Sequence, residues 1–555
     1  MQGMLWRRLR RWAALGSLGV LCALGSARAD EPSESIDLNT SSSVSTDTAA
    51  AEEQADPVVV DPKIKAAVDA ALKARDAAEK KKAEEKKLKE QCDGYPVGSE
   101  LGGLKVFWDP ANGVNCESAH KDFRLHIGGR FQDDVVFWDE PGKLRGPGGV
   151  GTLEDGTFFR RIRLNLDGVA WEQMEFNMEY AFENFGNNTG IGELDEFWVG
   201  IKDMPLLGTI RIGHLKVPQG LEGDMVSSSK DMTFMERASY TDAFYENFAP
   251  GIWFGNHILD DHATWSYMMY KQEQGTISGG AGFPGAGAPN GAAIVDNNWG
   301  QSARFTFLPM YANEGRCLMH LGVSETYRSA LFPQPGGGVT NSGGNTIVDF
   351  SARPEMRDTI GNYTNVGPGN SRRFVDTGAL SCNDTSVTGF EFLGISGPLT
   401  VQAEWGIAVA TSVSAVGAVA IPKQNLAFDG GYLQASYILT GESRGYDRRL
   451  GRLQTNGIRP YTPFFLVRDR DGGFCTGLGA IELAARYSYL NLNDGPVQGG
   501  VLGSMSYGVN WYLNNNLKMQ FEFLNTNRWN IGAASPAGSV SGAVNSFGIR
   551  TQILF

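Results

Sequence analysis

The sequence predicts an all-β fold: an antiparallel transmembrane β-barrel of 16 strands, or 18 if two lie hidden in one long connection, behind an N-terminal charged helical segment. Three observations predict it. The N-terminus carries an export signal, short stretches of alternating polarity recur from residue 123 onward, and the final alternating stretch ends in Phe555.

Arg7, Arg8, Arg10 and Arg11 form a basic start, and an apolar run from Trp12 to Leu24 follows. Ala27-Arg28-Ala29 then gives an A-x-A site, so cleavage is expected before Asp30, with residues 1–29 as a signal peptide. That apolar run is too short for a membrane anchor, and no later stretch reaches the roughly 18 apolar residues of a spanning helix. Barrel strands escape such a search, because polar and apolar residues alternate and their hydropathies cancel. Removing the five arginines and no acids of residues 1–29 takes the net charge from −13 to about −18. Such a chain is not expected to bind nucleic acid. With Cys22 removed, five cysteines enter an oxidising compartment. Cys92 and Cys116 flank one short segment and are candidates to pair. Cys317, Cys382 and Cys475 leave an odd count.

Residues 30–61, rich in Ser, Thr, Ala, Asp and Glu, read as a disordered linker. Residues 62–91 read as a solvated helix. Ile64, Ala67, Ala71, Ala74, Ala78 and Leu88 fall near a heptad seam, but Lys81 and Glu85 interrupt it, so a charged spacer and a weak coiled coil both stay open. Residues 92–122 connect to the barrel, which is expected over 123–555.

In Ile162-Arg163-Leu164-Asn165-Leu166-Asp167 the apolar residues take one face and the polar ones the other. Met174, Phe176, Met178, Tyr180 and Phe182 alternate with Glu175, Asn177 and Glu179. Met505, Tyr507, Val509, Trp511 and Leu513 run into the turn Asn514-Asn515-Asn516, beyond which Leu517, Met519, Phe521 and Phe523 alternate with Lys518, Gln520 and Glu522. A soluble sandwich alternates too; length and the terminal strand, with Phe547, Ile549, Thr551, Ile553 and Phe555 on one face, favour the barrel. Strands are predicted at 123–138, 158–171, 174–185, 193–202, 209–217, 249–257, 264–272, 300–308, 316–328, 387–394, 399–409, 428–440, 479–490, 501–513, 517–525 and 543–555. Short turns then fall at one end and the long loops 218–248, 273–299 and 329–386 at the other. The segment 441–478 breaks this rule, being long yet at the turn end. It hides two more strands or is a long turn-end loop.

The chain resembles the phosphate-selective porin O and P family. The resemblance rests on the order and spacing of Ile127-Gly128-Gly129-Arg130, Phe159-Arg160-Arg161-Ile162-Arg163-Leu164, Arg211-Ile212-Gly213-His214-Leu215-Lys216-Val217-Pro218, Phe234-Met235-Glu236-Arg237, Leu439-Thr440-Gly441-Glu442, Glu482-Leu483-Ala484-Ala485-Arg486-Tyr487-Ser488 and Asn510-Trp511-Tyr512-Leu513-Asn514. It covers about 123–272 and 387–555, and Phe555 matches the assembly signal read by the barrel assembly machinery. It implies a porin in the outer membrane, in contact with its lipid and usually a homotrimer; the N-terminal segment 30–91 lies outside the common barrel and is expected in the periplasm. It also implies a third loop, here 218–248 with Lys230, Glu236 and Arg237, that folds inward and narrows the pore. Anion-selective members line the pore with Arg and Lys. Matching inward positions are Arg130, Arg161, Arg163, Lys216 and Arg486, while alternation alone adds Arg211, Lys518 and Arg550. The chain departs from the pattern at Phe248-Ala249-Pro250-Gly251, which lacks an expected arginine, and in the acids Glu175, Glu179, Glu196, Glu482 and Glu522, which share the inward face.

A porin works by charge and width rather than by covalent chemistry. The lumen charges therefore read either as those of a general diffusion pore for small hydrophilic solutes or ions, or as an anion filter that includes phosphate. No cofactor and no enzyme activity are expected. His257, Asp260, Asp261 and His262 sit at a strand end without a third histidine and do not make a metal site. The six scattered histidines assemble no hydrolytic constellation. A structural role, in which residues 62–91 tie the envelope to the cell wall, stands as the alternative function.

Overall fold

A computed structural model describes residues 80, 97–101, 104–109, 113–182, 193–225, 230–271, 299–328, 346–357, 372–417, 419–468 and 473–555. The chain divides into two compact units, Met1–Lys87 and Leu88–Phe555. In the first, Lys80 is described and is helical. The expected signal peptide, the linker and the rest of the 62–91 helix lie outside the described residues.

Three strands precede the barrel: β1 (Val97–Leu101), β2 (Leu104–Asp109) and β3 (Gly113–Ser118). Sixteen strands build it: β4 (Phe123–Asp139), β5 (Gly156–Ala170), β6 (Met174–Ala181), β7 (Glu193–Met204), β8 (Gly208–Lys216), β9 (Phe248–Ile258), β10 (Ala263–Lys271), β11 (Trp299–Ala312), β12 (Cys317–Arg328), β13 (Thr385–Ser396), β14 (Leu399–Val416), β15 (Val419–Ile438), β16 (Ala480–Asp494), β17 (Val497–Tyr512), β18 (Leu517–Trp529) and β19 (Gly542–Leu554). Each pairs antiparallel with the next, and β19 returns to β4 from Leu554↔Arg130 to Asn545↔Asp139. Closure leaves no row of unpaired backbone groups, the condition for sheet structure in lipid.

The alternation explains which face is which. On β11, Phe305 and Phe307 are exposed while Arg304 and Thr306 are buried. Leu321, Val323, Leu483, Tyr507 and Phe523 repeat the pattern around the wall. An apolar outside and a polar inside invert the order of a soluble protein and suit a barrel in lipid.

β15 pairs directly with β16, from Asp429↔Asn491 to Ile438↔Glu482. The segment between them therefore supplies no wall strand, and the barrel has 16 strands rather than 18. It is a long loop at the turn end with two small hairpins, Tyr446–Asp447 with Arg452–Leu453 and Val467–Arg468 with Phe474–Cys475. β14 and β15 run longer than the sequence suggests and meet at Val416↔Val419. Small and polar residues over 411–427 and register breaks near Val413 blur their alternation.

Barrel closure depends on a glycine pair. Gly129 N donates to Phe555 O at 2.7 Å, and Phe555 N donates to Gly129 O at 3.1 Å. A Cβ on Gly128 would stand 2.7 Å from Phe555 O, and one on Gly129 would strike the Phe555 ring. Where β19 ends, β3 takes over the same edge of β4, pairing Val114↔Ile127 through Glu117↔Arg124.

The lumen is filled from both ends. At the loop end, the helix Ser239–Phe244 and parts of 348–382 bury Tyr240, Phe244, Phe350, Met356 and Phe374 against the wall. At the turn end, Tyr446 and Leu453 pack with Leu221, Leu308 and Leu393. Cys475 is disulfide-bonded. Cys116 is a free thiol, so the expected Cys92–Cys116 pair does not form.

Candidate functional site

The lumen charges start from strand parity. Arg130 pairs in register with Arg163, and Gln132 with Arg161, so all four share the inner face. Arg130 and Arg163 both bind Glu179, the latter at 2.8 Å, and Arg163 also binds Asp195. Closer to the turns, Arg211 donates to Glu175 at 2.7 Å and stacks over Trp198 and Trp253. On the opposite wall, Arg486 donates to Glu355 at 2.5 Å and lies over the Phe234 ring.

Lys216 is a correction. The β8–β9 register is unbroken from Ile210 to Lys216. Arg211 and Lys216, five positions apart, therefore face opposite sides. Lys216 shares its side with Ile212, and its Nζ lies 5.6 Å from the Phe248 ring. Gly213 introduces no bulge that would turn it inward.

Arg160 was hidden by the same parity rule, which places it in lipid. The β4–β5 ladder passes from Gln132↔Arg161 to Asp133↔Phe159 and skips Arg160. The extra residue is a bulge, which re-aims its side chain. Arg160 thus joins Arg161 on the inside, and both reach Glu236.

The loop between β8 and β9, described over 217–225 and 230–247, enters the lumen and is held there by wall side chains. Lys518 Nζ donates to Met232 O at 3.2 Å, Gln520 to Thr233 O at 3.2 Å, and Arg486 to Glu236 O at 3.1 Å. Arg550 donates to Met235 O, and Glu522 accepts from Met235 N at 2.7 Å. Of the residues expected to form a constriction, Arg237 turns away to Asn247 at 2.7 Å. Lys230 is partly buried, and burial and then Arg130 push its ammonium below the usual range.

Glu236 stands at the centre. It accepts from Arg160 at 2.7 and 3.0 Å and from Arg550 at 3.0 Å, with Arg357 at 3.8 Å and Arg161 at 3.9 Å. Arg550 also forks onto Asp134 at 2.6 and 2.7 Å. Arg353 and Arg357 meet Asp242 at 3.2 and 3.4 Å. Five arginines thus surround three carboxylates. Burial opposes ionisation of Glu236, yet Arg160, Arg161 and Arg357 hold its carboxyl well below the ordinary range. Asp242 is likewise held low against burial by Arg353, Arg357 and Arg373. Arg353 and Arg357 come from the long loop 329–384, whose sequence has no strand pattern to announce an inward aim.

The turn-end insert meets the loop between β8 and β9 from below. Arg444 donates to Asp231 O at 3.1 Å and to Thr233 Oγ1 at 3.1 Å and binds Glu482, while Asn456 N donates to Asp231 at 2.9 Å. Tyr446 bonds His320 at 2.7 Å, and Gly451 O accepts from Arg304 at 3.0 Å. A small recess remains between insert and wall, lined in part by Lys230, Arg444, Tyr512 and Lys518. The acids seen as departures are engaged, Glu196 by Trp198 Nε1 at 2.8 Å and Glu482 by Asn510 and Tyr512 at 2.9 and 2.8 Å. No cluster of metal-ligating side chains occurs among the described residues.

The family model described as "Phosphate-selective porin O and P" matches residues 147–555. The chain belongs to this family. It is an outer-membrane porin, a channel-forming β-barrel, and its turn end is the periplasmic end of such barrels. Porin O of Pseudomonas aeruginosa is 25% identical over 444 residues, covering 76% of this chain and 87% of the relative. An uncharacterized protein of Caulobacter vibrioides is 27% identical over 402 residues, covering 71% and 67%. Among solved structures, the outer membrane channel DcaP of Acinetobacter baumannii aligns at TM-score 0.43 and 10% identity over 79% of this porin and 99% of that chain. The anion-selective porin from Comamonas acidovorans aligns at TM-score 0.43 and 10% identity over 78% and 100%.

Proposed function

We propose that this porin conducts small anions by passive diffusion and favours oxoanions of the phosphate class at its constriction. The observation that carries this reading is the arginine excess around Glu236, five guanidiniums against three carboxylates. Positive charge that is partly withdrawn from water and incompletely matched by acids is costly, and an anion entering the cluster relieves that cost. Arginine suits oxoanions, because its planar fork matches two oxygens of a carboxylate or phosphate. Below the cluster, Arg163, Arg130 and Lys230 extend the basic surface along the same wall toward the turn end, with Glu179 between them.

Three further features belong to the same proposal: a homotrimer with one pore per subunit, an N-terminal segment in the periplasm, and assembly signalled by Phe555. The deciding experiment is planar-bilayer recording of the purified porin in asymmetric potassium chloride, with inorganic phosphate added as blocker. A reversal potential on the anion side and phosphate block at concentrations well below those of chloride are expected. Cation selectivity would overturn the reading.

A further inference from the structure

The Glu236 side chain makes contacts beyond those that fix the backbone of its loop. The backbone around it is already fixed: Met235 N donates to Glu522, Met235 O accepts from Arg550, and Glu236 O accepts from Arg486. The side chain adds a separate arrangement. One carboxylate draws guanidiniums from three elements: Arg160 and Arg161 of β5, Arg550 of β19, and Arg357 of the long loop before β13. Arg160 grips it through Nε and Nη2, one nitrogen to each oxygen, as a guanidinium grips a free carboxylate or phosphate.

We propose that Glu236 is a tethered stand-in for the permeant anion. Its carboxylate occupies the arginine nest when no solute is present, and a passing oxoanion takes the nest by displacing it. The inference rests on the anion reading above and deepens it to a substrate class. A solute competing for this nest must present two oxygens about as far apart as those of a carboxylate, so phosphate and small carboxylates compete well and a spherical halide poorly. The tether also serves throughput. Conduction needs a site attractive enough to enter yet weak enough to leave. A carboxylate held beside the nest at high effective concentration shortens each solute's stay.

The test is phosphate block of the full-length porin in planar bilayers, comparing wild type, Glu236→Gln and Glu236→Asp. The uncharged amide competes poorly for guanidiniums, so the half-blocking phosphate concentration is expected to fall about tenfold in Glu236→Gln. Glu236→Asp keeps the charge but is one methylene short, and a smaller fall is expected there. It decides the matter if the amide variant does not assemble. Half-blocking concentrations that are unchanged or raised overturn the proposal and leave Glu236 as a structural ion pair that pins the loop. Wild-type reversal potentials keep the two ideas apart. A cation-selective wild type removes the anion reading, whereas an anion-selective wild type with unaltered block in the variants removes only the stand-in.

Discussion

Arg160 and Arg161 are neighbours in sequence, yet both reach Glu236, which a regular strand forbids. Strict alternation places Arg160 in lipid, where an arginine at mid-depth costs about 2–4 kcal/mol. The bulge removes that cost and brings a second guanidinium of β5 to Glu236. Replacing both by glutamine is expected to move the reversal potential toward cations, with the anion-to-cation permeability ratio falling roughly threefold or more; an unchanged potential in a conducting variant would exclude them from the filter. Gly129 is a second residue whose identity matters. Gly129→Val forces a side chain into the Phe555 ring, and overpacking of this kind costs about 1–3 kcal/mol. A lower folded fraction in heat-modifiable gel mobility is the expected readout. A third test uses pH. Burial, and then the adjacent Asp376 carboxylate, push Asp349 in the long external loop up to about 7 from an ordinary 3.8. A folded-state value raised in this way means that stability present below about pH 3.8 is lost as pH rises through about 7. Protection of backbone amides over 346–357 and 372–382, corrected for the intrinsic base-catalysed exchange rate, should fall between pH 5 and 8, and Asp349→Asn should abolish that fall.

The longest turn-end connection of this barrel is the insert between β15 and β16. Its length was legible in the sequence, as was its place at the turn end. Its entry into the lumen was not, because Arg444, Tyr446 and Asn456 reveal their partners only when Glu482, His320 and Asp231 are brought beside them. These pairs lie 38, 126 and 225 residues apart. Because β15 and β16 pair without it, replacing residues 443–476 by a short Gly/Ser link should leave the barrel closed. Single-channel conductance is then expected to rise about twofold or more as the lower lumen widens. A folded variant with unaltered or smaller conductance would show that the insert does not limit flow. The inward loop between β8 and β9 is likewise bonded to the wall, through Arg486, Lys518, Gln520 and Arg550.

At the scale of the whole molecule, closure of β19 on β4 makes the last residue part of the seam. Phe555→Ser is expected to lower the assembled fraction far more than a substitution in an external loop, as measured by heat-modifiable mobility in isolated membranes. Alternating polarity by itself determined that this chain builds a polar-lined barrel, of sixteen or eighteen strands, and which residues of most strands face inward. Side-chain direction has period two and needs no knowledge of distant partners. Sequence determined the family as well, through short motifs in fixed order. Only the tertiary structure decided the rest: the bulge that turns Arg160 inward, the unbroken register that turns Lys216 away, the sixteen-strand count against eighteen, and the gathering of Arg353, Arg357 and Arg550 on Glu236 and its neighbouring acids. The reason is physical. A strand's pattern records only which face is wet, whereas a bulge, a register and a converging charge cluster are set by contacts between segments tens to hundreds of residues apart, which no local pattern encodes.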